Sequence, residues 1–263
     1  MRTKLVVGNW KMHKTVQEAE ATVENFLRHV EAKSMVDVVV CPSFICLPAI
    51  HSVLRNTHVK LGAQDCFWKE SGAFTGQISP RMLYSAGCAF CIVGHSETRG
   101  RFGKLEVPES TIPYFHETDE TVNLKLKELL NFSINPILCV GETREERDAG
   151  ETDEVIKRQV RTAIYGIDPA EITLFSIAYE PVWSIGTGNP CSEDEAERIS
   201  AMIRNYVVEL TEEWVGEYIR VLYGGSVNGK NCESYFRQPN IDGALVGGAS
   251  LDPMDFSLVV MSA

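Results

Sequence analysis

Eight short apolar runs, each of strand length and apolar on both faces, recur along this chain with longer amphipathic stretches between them. They fall at residues 4–8, 37–41, 59–64, 90–94, 134–140, 174–179, 219–223 and 243–246. Runs rich in Val and Ile without polar alternation are the pattern of strands in a parallel sheet covered on both sides. The stretches between them read as helices. Thr15 with Glu18 spells a capping box ahead of apolar residues at helical spacing, and Ser192 with Glu195 spells another. Ser79-Pro80 supplies a cap and a first-turn proline, with Gly87 as the stop. Strands and helices in strict alternation, with no linker or low-complexity segment, predict an α/β fold. The expected form is a single closed (β/α)8 barrel domain over residues 1–263, with a parallel eight-stranded core. An open doubly wound sheet is the alternative, since alternation alone does not prove closure.

Barrel geometry makes a prediction from position: chemistry belongs on residues that end a strand or open the following loop. Glu180 stands there, in Ala178-Tyr179-Glu180-Pro181-Val182-Trp183-Ser184-Ile185-Gly186-Thr187-Gly188. Pro181 keeps Glu180 extended, and the Gly-Thr-Gly flap beyond offers backbone N–H groups on a segment able to move. Asn9 and Lys11 follow the first run, and His95 and Ser96 the fourth. Gly224-Gly225 with Ser226, and Gly247-Gly248 with a short helix expected at 249–251, follow the seventh and eighth. Glycine pairs in these two loops suit phosphate, which backbone can then approach closely. Taken singly, Glu180 reads as a surface carboxylate, Lys11 as a loop charge and His95 as a structural imidazole. Taken together they share one rim, on which Lys11 is the cation and a turn at Ser96 is expected to depress the His95 pKa.

The formal charge of −11 argues against a nucleic-acid or anionic-membrane surface, and requires any anionic substrate to be met by a local positive site. The apolar run at the amino terminus is too short for a signal peptide, and no segment reaches spanning length, so the expectation is a soluble intracellular protein. The eight cysteines are scattered, several within strand-like runs, which predicts buried free thiols. Cys88 and Cys91 form a CxxC that reads as core. No metal or cofactor site is expected, and the acidic run 142–154 reads as solvated helix faces.

At these residues the chain closely resembles the triosephosphate isomerase family, whose motifs stand here in family order as GNWKM, VGHSE, AYEPVW-IGTG, YGGSV and GALVGGASL. The resemblance implies a TIM barrel and a cytoplasmic enzyme of glycolysis and gluconeogenesis without a cofactor. It implies that Glu180 is the base shuttling a proton between adjacent carbons and His95 the electrophile polarising the carbonyl. Lys11 and Asn9 would bind substrate, with the lysine stabilising the enediolate, while Gly186, Ser226, Gly247 and Gly248 would hold the phosphate. It further implies a homodimer made through the loop around Thr75, which would approach the partner's Asn9 and Lys11.

Three departures stand out. Glu97-Thr98-Arg99 lacks an arginine common in the family, and Asn189-Pro190-Cys191 puts proline in the flap's far hinge. The loop at 100–115 is roughly a dozen residues longer than the resemblance suggests, a length that marks functional or mobile loops. It is expected to serve structure or the dimer before substrate choice. Two rival functions remain at this point: an isomerase of a longer ketose phosphate such as a tetrulose phosphate, supported by the long loop, and a phosphate-binding barrel without catalysis.

Overall fold

In the computed structural model, which describes residues 2–30, 35–104, 107–186 and 190–263, eight strands close into a barrel in sequence order. The strands are β1 (Lys4–Asn9), β2 (Val36–Cys41), β3 (Lys60–Ala63), β4 (Phe90–Val93), β5 (Asn135–Val140), β6 (Ser176–Tyr179), β7 (Arg220–Tyr223) and β8 (Gly243–Val246). Every neighbouring pair is parallel, and β1 pairs with β8, so closure is direct and the open sheet is set aside.

The runs are apolar on both faces because both faces are buried, in two separate layers. Leu5, Val7, Val39, Ile92, Ile137, Ala178 and Leu222 fill the barrel interior. Their alternates, such as Val6, Val38, Val93 and Ile177, pack outward against the helices. The helix signals act as read. Thr15 and Glu18 close a reciprocal capping box on helix Val16–His29, and Ser79 accepts from the Met82 N–H at the start of helix Pro80–Ser85. On helix Glu193–Leu210 only half the box forms: Ser192 accepts from the Glu195 N–H, while the Glu195 carboxylate turns to Arg147 and Arg198. All eight cysteines are free and buried.

The long stretch after β4 is not featureless. It carries a 3₁₀ segment, Glu109–Tyr114, and Phe102 meets Phe115 edge-on at 5.5 Å. Among the described residues no helix is long and apolar enough to cross a membrane.

Candidate active site

Strand alternation carries two of the expected residues inward. Leu5, Val7 and Asn9 share a face of β1, as Ala178 and Glu180 do on β6. His95 has the wrong parity, because Cys91 and Val93 point outward. Gly94 corrects this: its left-handed backbone (φ 75°) re-aims the chain between strand and loop. Gly141, at the end of β5, lets the end of β6 come close. A Cβ there would lie 2.7 Å from the carbonyl carbon of Glu180, and the Glu180 N–H donates to Val140 O at 2.8 Å.

A cavity of about 540 Å³ then brings together Asn9, Lys11, His95, Glu180, Gly186, Ser226, Gly247 and Gly248. All eight residues to which the resemblance gives a catalytic or substrate-binding role line it. The flap residues Thr187, Gly188 and Asn189 lie outside the described residues, Asn189 being the first residue of the far hinge.

Within the cavity Glu180 is 2 % exposed and His95 6 %. His95 Nε2 lies 2.8 Å from Glu180 Oε1, and the Ser96 N–H donates to Glu180 Oε2 at 3.0 Å. On the other side of the ring the Glu97 N–H donates to Nδ1 at 3.2 Å. An Nδ1 that accepts must be unprotonated, so the neutral ring carries its proton on Nε2, facing the cavity. For His95, burial favours the neutral form, but the charge and hydrogen bond of Glu180, with Glu97 behind, raise it above its ordinary value. This corrects the expectation that the turn at Ser96 depresses it: a carboxylate in contact outweighs a short turn's dipole. For Glu180, burial opposes ionisation, yet His95 and the Ser96 N–H hold it below the usual carboxylate value.

Lys11 sits in a left-handed conformation (φ 53°) that its neighbours impose. Its N–H donates to Asn9 Oδ1 at 3.1 Å, and Gln64 Nε2 donates to its carbonyl at 2.9 Å. Its ammonium pairs with Glu97 at 2.6 Å. Gln64 had no signal beyond its place at the end of a strand. Nor is Lys11 the rim's sole cation, since Arg101 and Lys104 line an adjoining cavity. Thr98, where the family has arginine, places Oγ1 2.5 Å from Glu117. The short helix expected after the glycine pair is a 3₁₀ turn, Gly248–Leu251.

The acidic run holds one correction. Glu142 is fully buried, not solvated, and accepts from Trp183 Nε1 at 2.8 Å and Tyr179 OH at 3.2 Å, with Arg147 3.3 Å away. Burial pushes its pKa up against those bonds. It ties the residues just past Glu180 to the end of β5.

A parallel barrel whose carboxyl-end rim sets an ionised carboxylate against an imidazole, beside a lysine and two glycine-rich loops, is an enzyme framework for proton transfer next to an anion. The family model for triosephosphate isomerase matches residues 4–263. Curated relatives with that name include proteins of Dictyoglomus thermophilum, 42 % identical over all of both chains, and Symbiobacterium thermophilum, 44 % identical over all of this chain and 98 % of its own. The Clostridium tetani relative is 42 % identical over 99 % of this chain and 96 % of its own. The chain belongs to the triosephosphate isomerase family, a family of aldose–ketose isomerases.

Proposed function

We propose that the chain interconverts dihydroxyacetone phosphate and D-glyceraldehyde 3-phosphate by proton transfer through an enediolate. One observation carries this reading: a buried carboxylate and a neutral-tautomer imidazole, 2.8 Å apart, face the cavity that also holds Lys11 and the glycine loops. Glu180 removes a proton from one carbon and returns it to its neighbour. A carboxylate is too weak a base for that alone, so the charge reaching oxygen must be met as it develops. His95 Nε2–H donates to that oxygen and the Lys11 ammonium adds positive charge. Both Glu180 oxygens are engaged at the end of β4, so bound substrate must displace the carboxylate from His95 before it acts. Backbone groups of Gly186, Ser226, Gly247 and Gly248 receive the phosphate through unpaired N–H donors, with the Lys11 ammonium supplying the local positive charge that a chain of net charge −11 needs.

The reaction belongs to glycolysis and gluconeogenesis, with the cytoplasm as its compartment, and needs no cofactor. The active form is a homodimer built through the loop around Thr75, a reading supported by exposed apolar side chains at Met12, Ile45, Phe74 and Tyr84. Sedimentation of the active enzyme as a monomer would refute that part. The tetrulose phosphate reading draws on the adjoining cavity and is tested with that substrate in the same assay.

Steady-state isomerisation, with Glu180→Gln as the paired variant, tests the main reading. Loss of a positioned base typically costs about 10²–10⁴-fold in rate. Near-normal turnover by the variant would sink the assignment.

A further inference from the structure

The insertion after β4 reaches the site with residues to which the mechanism gives no part. Near its start Arg101 is fixed at both ends: its N–H donates to Ser96 O at 2.9 Å, and its guanidinium reaches Gly141 O at 3.2 Å and pairs with Glu146. The next residues therefore leave from a rigid point between the His95 turn and the end of β5. Phe102 packs on Phe115, where the insertion returns. Gly103 lies flat against the segment Val182–Ile185. A Cβ on it would lie 3.3 Å from the Ile185 carbonyl carbon and overlap the carbonyl oxygens of both Val182 and Ile185. Lys104 follows, its Cβ 3.9 Å from where a Gly186 Cβ would be.

Ile185 and Gly186 wall the substrate cavity. They also line an adjoining cavity of about 670 Å³, which shares Asn9, Lys11, Gly247 and Gly248 with the first and to which the insertion adds Phe102, Gly103 and Lys104. The insertion is thus packed behind the two residues that face the substrate's phosphate end. Gly103 has an ordinary backbone conformation outside the left-handed region, so its missing side chain serves close approach, not a turn.

We propose that residues 102–104 are a fixed abutment that positions Ile185 and Gly186 over the substrate, with Gly103 the positioning residue. This rests on the isomerase reading and deepens it: the insertion tunes how well the enzyme uses the phosphate of its substrate. Gly186 acts on substrate, and Gly103 acts through Gly186. Displacing Gly186 removes a charge-assisted contact to phosphate, and such contacts are strong enough to matter.

The test compares Gly103→Ala with wild type on two substrates, D-glyceraldehyde 3-phosphate and unphosphorylated D-glyceraldehyde, the slow second reaction being followed by deuterium exchange in NMR. The abutment predicts a fall of about tenfold or more in kcat/KM for the phosphorylated substrate, mostly as KM, with less than twofold change for D-glyceraldehyde. Unchanged kinetics on both would overturn it, because the insertion would then have yielded instead of the segment. So would a parallel loss on both, the mark of a general structural fault. Phe102→Ala, which loosens the abutment without adding bulk, is predicted to show the same one-sided loss and supplies the comparison if Gly103→Ala does not fold. Ser110→Ala, on the exposed part of the same insertion, is predicted to match wild type, and a loss there would count against the assignment to residues 102–104. Absence of turnover by wild type itself would defeat the isomerase reading and is distinct from all these outcomes.

Discussion

Gly141→Ala tests how the barrel aims its base. The added methyl would stand 2.7 Å from the Glu180 carbonyl carbon and 3.3 Å from its Cα, with the carbonyl oxygen nearer still. Non-bonded carbons rest at about 3.5–4.0 Å. The ends of β5 and β6 must therefore part by about 1 Å, along the direction that also carries the Glu180 N–H bond to Val140. Neither strand end yields easily: Gly141 is itself held by Gln159 through both its N–H and its carbonyl, and Glu142 ties Tyr179 and Trp183 to the same place. Misplacing a catalytic group by about 1 Å costs on the order of 100-fold in rate. Overpacking a tight contact costs about 1–3 kcal/mol of stability, or roughly 2–12 °C in Tm for a chain of this size. The proper control is Gly150→Ala, at a left-handed position (φ 75°) with open space around it. That change costs about 1 kcal/mol through backbone strain and leaves the site alone. Steady-state kinetics and calorimetry on both variants are the assay. The expected result is comparable loss of stability in the two, with about 100-fold loss of kcat/KM in Gly141→Ala alone. A Gly141→Ala enzyme within threefold of wild type would refute the argument that this glycine seats the base.

Two further outcomes follow from the buried charges. Glu142→Leu leaves the Trp183 N–H and Tyr179 hydroxyl without their acceptor, at a cost of about 2–4 kcal/mol, so Tm is expected to drop by roughly 5–15 °C; an unchanged melting curve would show that Glu142 anchors nothing. The His95–Glu180 pair sets a pH window. His95 is raised above its ordinary 6.5, so its share of stability is complete below that value and is lost as pH rises through the folded pKa. Glu180 is lowered below its ordinary 4.5, so its share is present above that value and is lost on acidification. The Tm difference between wild type and His95→Gln is therefore predicted to be largest between about pH 4.5 and 6.5 and to shrink as pH rises through the folded value of His95; a difference flat with pH would contradict the pairing.

What the sequence made legible follows the period of the strands. A β-strand repeats every two residues, so eight apolar runs announced eight two-faced strands, and their ends announced where polar groups would collect. Glu180 and Asn9 could be aimed from parity alone. Glu142 could not. It opens an acidic stretch whose other members do sit in helices and turns, and nothing local distinguishes it from them. Its burial is decided by Trp183 and Tyr179, some forty residues away, closing over the end of β5. Gln64 is hidden for the same reason: its worth lies in spanning the carbonyls of Lys11 and Cys41, which belong to two other strands' ends.

His95 shows how the two kinds of information combine. Counting along β4 sends residue 95 outward, toward the helices, where an imidazole would be a structural filler. Gly94 reverses that direction, since a left-handed step adds a turn that the two-residue period does not contain. The step also leaves the Glu97 N–H under Nδ1, so one backbone kink both turns the ring to the cavity and selects the tautomer that donates from Nε2. Position and protonation are then a single consequence of the loop's path. A substitution at Gly94 that still folds is expected to lose both together while keeping the ring itself, whereas His95→Gln keeps the backbone path and removes the ring.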